Sequence, residues 1–131
     1  MARCQRFYVR GGSWGRAGAD IEIGFYRGDH GDGFNFEFDG KFRILAHAFP
    51  PENGYFHYDA DESWSVNPKG DTEVDLESVA VHEFGHLLGL GHSLDQSAIM
   101  FSEISYGVIK RICNLTIFKG YKPCTLKSGQ W

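Results

Sequence analysis

The sequence predicts an α+β domain in which a twisted β-sheet with long loops precedes a single helix. Apolar residues alternate with period two in short stretches between Ala19 and Tyr58, and the period switches to helical spacing between residues 71 and 88. Half of the chain's 6 histidines then fall inside VAVHEFGHLLGLGHS, residues 79–93, where that helix ends. A length of 131 residues suits one domain with a core that needs neither disulfides nor metals to form.

Residues 1–18 are basic and glycine-rich (RGGSWGRAG), with no apolar periodicity and no GxxxxGK[ST] phosphate loop, so a flexible lead-in is expected. DIEIGFY then puts Ile21, Ile23 and Phe25 on one strand face, and ILAHAF and YFHYD follow after turn-forming clusters. Val74, Val79, Phe84, Leu87 and Leu88 mark the helix over 71–88, with Asp71 or Thr72 as N-cap and Gly89 as its stop. The final segment, GVIKRICNLTIFKGYKPCTLKSGQW, mixes short apolar pieces with Lys, Gly and Pro and shows no closing helix.

Composition narrows the function classes. The net charge of −4 and the scattered basic residues exclude a nucleic-acid footprint. No apolar run reaches the roughly 18 residues of a membrane span, and MARCQRFYVRGG lacks the apolar core of a secretory signal. Cys4, Cys113 and Cys124 have no CxxC spacing; Cys113 and Cys124 could pair, but the odd count leaves the compartment open.

The histidine spacing carries the chemistry. On a helix His82 and His86 project from one face a turn apart, so both imidazoles can reach one ion. Glu83 follows His82 directly and is placed as a general base beside the metal. Gly89 can adopt the left-handed conformation that lets the chain turn and return His92 as third ligand. Three imidazoles leave a fourth tetrahedral position to water, the open arrangement of catalytic zinc. A lone HExxH arises by chance in many helices, but here HExxHxxGxxH is complete and Met100 follows within SAIM.

That extended motif with its methionine turn is the metzincin signature. Ser93 after the third histidine and the short gap to Met100 resemble matrixins, the matrix metalloproteinases, and GDHGDG and LAHAF are similar to the plant members. The resemblance runs from about Ala19 to Glu103 and implies a metzincin-like, mostly parallel sheet whose long metal-binding loops pack on the active-site helix. It implies a zinc endopeptidase in which Glu83 takes a proton from water and passes it to the leaving amine. It also implies a closed structural zinc on His30, Asp32, His47 and His57, which the residues alone would leave as polar strand and loop positions. A calcium ion is implied at Asp39, Asp59 and Glu62 with the backbone of Gly40, Phe42 and Ile44; the residues alone allow a solvated acidic loop, and Phe42 and Arg43 stand where the family favours small residues or glycine. Leu45, Ala46 and Ala48 would hydrogen-bond an extended peptide along the cleft edge.

The match has limits. ARCQ around Cys4 lacks the glycine and aspartate of the PRCGxPD propeptide switch, residues 1–18 do not resemble the family's opening strand and helix, and nothing after Tyr106 matches its closing helix. The expected organisation is therefore an unmatched lead-in (1–18), an incomplete catalytic domain (19–106) and an unmatched tail (107–131), as from a truncated or misread gene product. A sequon stands at Asn114, Leu115 and Thr116. The leading expectation is an extracellular, monomeric zinc endopeptidase acting on a protein or peptide substrate. The alternatives are a matrixin fragment that binds zinc without turnover and an intracellular metal-binding module.

Overall fold

A computed structural model of the chain describes residues 20–50 and 53–111. The cysteines, the glycine-rich lead-in and the sequon lie outside the described residues. The elements are β1 (Glu22–Tyr26), β2 (Ala46–Ala48), β3 (Tyr55–Asp59), β4 (Trp64–Ser65), β5 (Val74–Asp75) and α1 (Leu76–Leu87).

β3 is the central strand of a three-stranded sheet ordered β1-β3-β2. It runs parallel to β1, with Gly24 opposite His57, and antiparallel to β2, with His47 opposite His57. Its alternation sends Phe56 and Tyr58 to one face and Tyr55, His57 and Asp59 to the other. Phe56 and Tyr58 join Ile21, Val74, Val79 and Leu87 in the core between sheet and helix. Phe84 of α1 meets Phe56 edge-on at 5.8 Å between ring centres. Phe56 is fully buried, and truncating such a ring costs about 3–5 kcal/mol. Ile21 is buried as its alternation requires, but Ile23 and Phe25 are 38% and 51% exposed; Phe25 instead stacks on Tyr58 at 4.7 Å.

The helix begins later than its local pattern suggests. Val74 and Asp75 pair in parallel with Trp64 and Ser65 as a second, two-stranded ribbon, so the segment after Asp71 and Thr72 is extended. Asp75 is the N-cap, its carboxylate accepting from the Ser78 N–H at 3.0 Å. Gly89 (φ +83) ends the helix as expected: its N–H bonds to the His86 carbonyl and the Leu90 N–H to the Gly85 carbonyl, both at 2.9 Å. Beyond Tyr106, where the sequence suggests no order, the chain packs back on α1 as far as Arg111. The Lys110 N–H donates to Ser78 Oγ at 2.7 Å and Arg111 pairs with Asp75. No helix among the described residues is long and apolar enough to cross a membrane.

Candidate metal centres and catalytic cleft

α1 sets His82 and His86 one turn apart, and the turn at Gly89 returns His92 beside them. His82 Nδ1 lies 2.8 Å from the Ile99 carbonyl and His86 Nδ1 2.8 Å from the Leu90 carbonyl. A carbonyl can only accept, so both Nδ1 atoms carry hydrogens, and in the neutral form of each ring Nε2 holds the lone pair. Burial holds the His82 imidazole below its usual pKa, which keeps it neutral. Yet His86 Nε2 stands 3.0 Å from His82 Nε2 and 3.1 Å from His92 Nε2. Lone pairs facing one another at that range repel unless a cation lies among them. Zinc–nitrogen bonds of about 2.0–2.1 Å at tetrahedral angles would separate the nitrogens by roughly 3.3 Å, so the donor set fits that ion.

Met100 is buried, 2% exposed, with its sulfur against Gly85 of α1. Its carbonyl accepts from the Ser93 N–H at 2.7 Å, which ties the loop after His92 to the turn. Gly85 permits the approach: a Cβ there would collide with the Met100 sulfur. Sequence reading passed over Gly85, though a glycine inside a helix costs about 1 kcal/mol relative to alanine and so signals a close contact. It also missed the Ile99 and Leu90 carbonyls that orient the rings, for which no local signal exists.

Glu83 is 6% exposed and its Oε2 is buried with no hydrogen-bond partner. Burial pushes its carboxyl up to about 7. Glu83 and the three histidines share a cleft of about 630 Å³ whose wall includes Leu45, Ala46 and Ala48. β2 is an edge of the described sheet. The Leu45 carbonyl accepts from the Asp59 N–H at 2.9 Å and the Phe49 N–H donates to the Tyr55 carbonyl at 2.8 Å. In an antiparallel pair such bonds alternate, so the backbone of Ala46 and Ala48 faces away from β3. Leu45 differs from the expectation, since its carbonyl is already spent on Asp59.

The opposite face of the sheet gathers a second cluster. His30, Asp32, His47 and His57 bring one ligand atom each within 4.8 Å of one another, as do His82, His86 and His92. Asp32 Oδ2 is 2.9 Å from His30 Nε2, 2.7 Å from His47 Nε2 and 2.5 Å from His57 Nδ1. His30 Nδ1 donates to the Gly28 carbonyl at 2.7 Å; in the neutral ring that leaves Nε2 a lone pair aimed at a carboxylate, an arrangement that a bound cation would relieve. Burial raises the Asp32 carboxyl, but bonds to His47 and His57 outweigh it and the net shift is downward. Burial lowers both His47 and His57. All four side chains are at least 85% buried, and Tyr26 covers the cluster with its ring centre 4.2 Å from that of His57. β2 therefore joins the two clusters, with His47 on one face and Ala46 and Ala48 packed against the core on the other.

The expected calcium residues are assembled less completely. Asp59 is fully buried, its Oδ2 has no partner, and burial raises its pKa. Glu62, however, accepts from the Phe42 N–H and from the Tyr106 hydroxyl, both at 2.5 Å, and Asp39 Oδ1 accepts from the Ile44 N–H at 3.2 Å. Among the described residues, Asp39, Asp59 and Glu62 do not form a converging group comparable with the two histidine clusters. Gly40 (φ +81) and Phe42 (φ 78) both turn left-handed, an unusual conformation for phenylalanine.

A family profile described as Matrixin matches residues 9–116. Metalloendoproteinase 1-MMP of Arabidopsis thaliana is 60% identical over 90 residues, which is 66% of this chain and 24% of that protein. Metalloendoproteinase 2-MMP of the same plant is 56% identical over 104 residues, 75% of this chain and 26% of that protein. Matrilysin of Rattus norvegicus is 51% identical over 92 residues, 68% of this chain and 32% of that protein. The chain thus matches about a quarter to a third of the length of these relatives.

Proposed function

The chain belongs to the matrixin family, and from that premise we propose that it is a zinc-dependent endopeptidase acting on extended segments of extracellular proteins, as a monomer. The observation that carries this reading is the convergence of three imidazole Nε2 atoms beside a buried carboxyl with a free oxygen. His82, His86 and His92 would hold the catalytic zinc, with Met100 beneath them. When bound, that ion would supply a Lewis acid for the scissile carbonyl and bring the pKa of a coordinated water toward about 7.

The remaining work falls to the chain's own groups. An extended peptide adds to the free edge of β2, bonding to the outward N–H and C=O groups of Ala46 and Ala48. Glu83, with a carboxyl held near 7 by burial, accepts a proton from the attacking water and delivers it to the amide nitrogen as the C–N bond breaks. The Ala46 carbonyl accepts a hydrogen bond from that amine. His30, Asp32, His47 and His57 form a closed four-donor shell suited to a structural zinc that pins the loop before β2 to β3. The orphaned Asp59 oxygen supports a cation at the Asp39–Glu62 loop, and calcium suits its oxygen donors, with Gly40, Phe42 and Ile44 supplying carbonyls.

Digestion of an unstructured protein by the zinc-loaded chain, with new ends identified by mass spectrometry, tests the proposal. Internal cleavage that disappears in Glu83→Gln at undiminished zinc content supports it. Zinc retention without cleavage by the wild-type chain would favour the inactive, zinc-binding alternative.

A further inference from the structure

We propose that Lys110 and Arg111 are positioning residues that hold the N-terminal turn of α1 against the loop that orients His82. The inference rests on reading His82, His86 and His92 as zinc ligands. Arg111 Nε donates to Asp75 Oδ2 at 2.9 Å, its Nη2 bonds to both Asp75 Oδ1 and the Val66 carbonyl, and its Nη1 reaches Glu77 Oε2 at 3.1 Å. One guanidinium thereby joins the fully buried N-cap of α1 to the end of β4. A planar fork does this where a lysine would make a single contact.

Lys110 reaches the other partner. Its N–H bonds to Ser78 Oγ at 2.7 Å in the first turn of α1, and the same hydroxyl donates to Asp75 Oδ2 at 2.6 Å. Its Nζ donates to the Gln96 carbonyl at 2.7 Å and lies 5.5 Å from the centre of the Phe101 ring. Gln96 and Phe101 flank Ile99, whose carbonyl fixes the His82 ring, and Met100, which abuts Gly85. Two adjacent residues thus tie the first turn of the helix that carries His82 to the loop whose Ile99 carbonyl sets the orientation of that ring. Partners of this kind, which orient a metal ligand without touching the metal, commonly alter metal affinity by about 10–100-fold.

Zinc release to a chromogenic chelator tests this, with the phase from each centre assigned through His86→Ala and His47→Ala and folding verified by near-ultraviolet circular dichroism. In Lys110→Met and Arg111→Met the three-histidine centre is expected to release zinc about tenfold faster, while the His30–Asp32–His47–His57 centre is unchanged. Arg111→Lys should fall between. A role limited to general stability would loosen both centres together, and that result, like unchanged release from both, overturns the proposal. A wild-type chain holding no zinc on the three histidines would overturn the zinc reading as well, so the two failures are distinguishable.

Discussion

At Glu83, burial without a partner for Oε2 favours the protonated carboxyl, and this has a consequence for the metal-free protein. The folded chain holds the proton up to about pH 7 whereas the unfolded chain releases it near 4.5, so folding binds a proton between those values. The stability contributed by this group is present below 4.5 and is lost as pH rises through 7. Urea unfolding of metal-free Glu83→Gln should therefore gain on the wild type by about 3 kcal/mol between pH 4.5 and pH 8, and a constant difference across that range would refute the assignment. Phe42 makes a second residue-scale case. Its φ of 78 is stabilised through the N–H bonds to Glu62 and Tyr106, while its ring is 67% exposed. Phe42→Gly relieves the left-handed strain at little cost in burial, and denaturant midpoints should show about 1 kcal/mol of added stability.

At the scale of the element, α1 depends on contacts from distant parts of the chain. The depressed Asp75 carboxyl, held down first by Arg111 and then by Ser78, contributes stability above its unfolded pKa of 3.8 that is lost as pH falls through the lower folded value. Removing the guanidinium leaves a buried charge unpaired. Acid titration followed by circular dichroism should find Arg111→Met unfolding at a higher pH than the wild type. Gly85→Ala gains helix propensity but drives a methyl into Met100, and overpacking of about 1–3 kcal/mol exceeds that gain. Its melting temperature should fall, with zinc lost first from the three-histidine centre. These contacts also mark where the sequence stopped being legible. The helix period, its glycine stop and the 82–86–92 spacing are local patterns and could be read. The N-cap could not, because Asp71, Thr72 and Asp75 share capping chemistry and the pairing of Val74 with Trp64 decides among them. Nor could Arg111, whose carboxylate partner lies 36 residues away.

For the whole molecule, the sheet separates the two candidate metal clusters and β2 connects them. His47 points to one, and the Ala46–Ala48 edge lines the cleft of the other. The second centre became legible only through family resemblance, because His30, Asp32, His47 and His57 are spread over 28 positions with no helical or CxxC-like spacing to announce them. At Asp39, Asp59 and Glu62 the resemblance named the residues, but the bonds that occupy Glu62 come from Phe42 and Tyr106, and no local pattern announces them. We propose that these two clusters bind zinc independently and that only the one beside Glu83 serves the chemistry. Zinc counted per folded chain by atomic emission tests it most directly, in the wild type, in His86→Ala and in His47→Ala. About two, one and one are expected. A His86→Ala chain that still holds as much zinc as the wild type, or loses all of it while remaining folded, would contradict it.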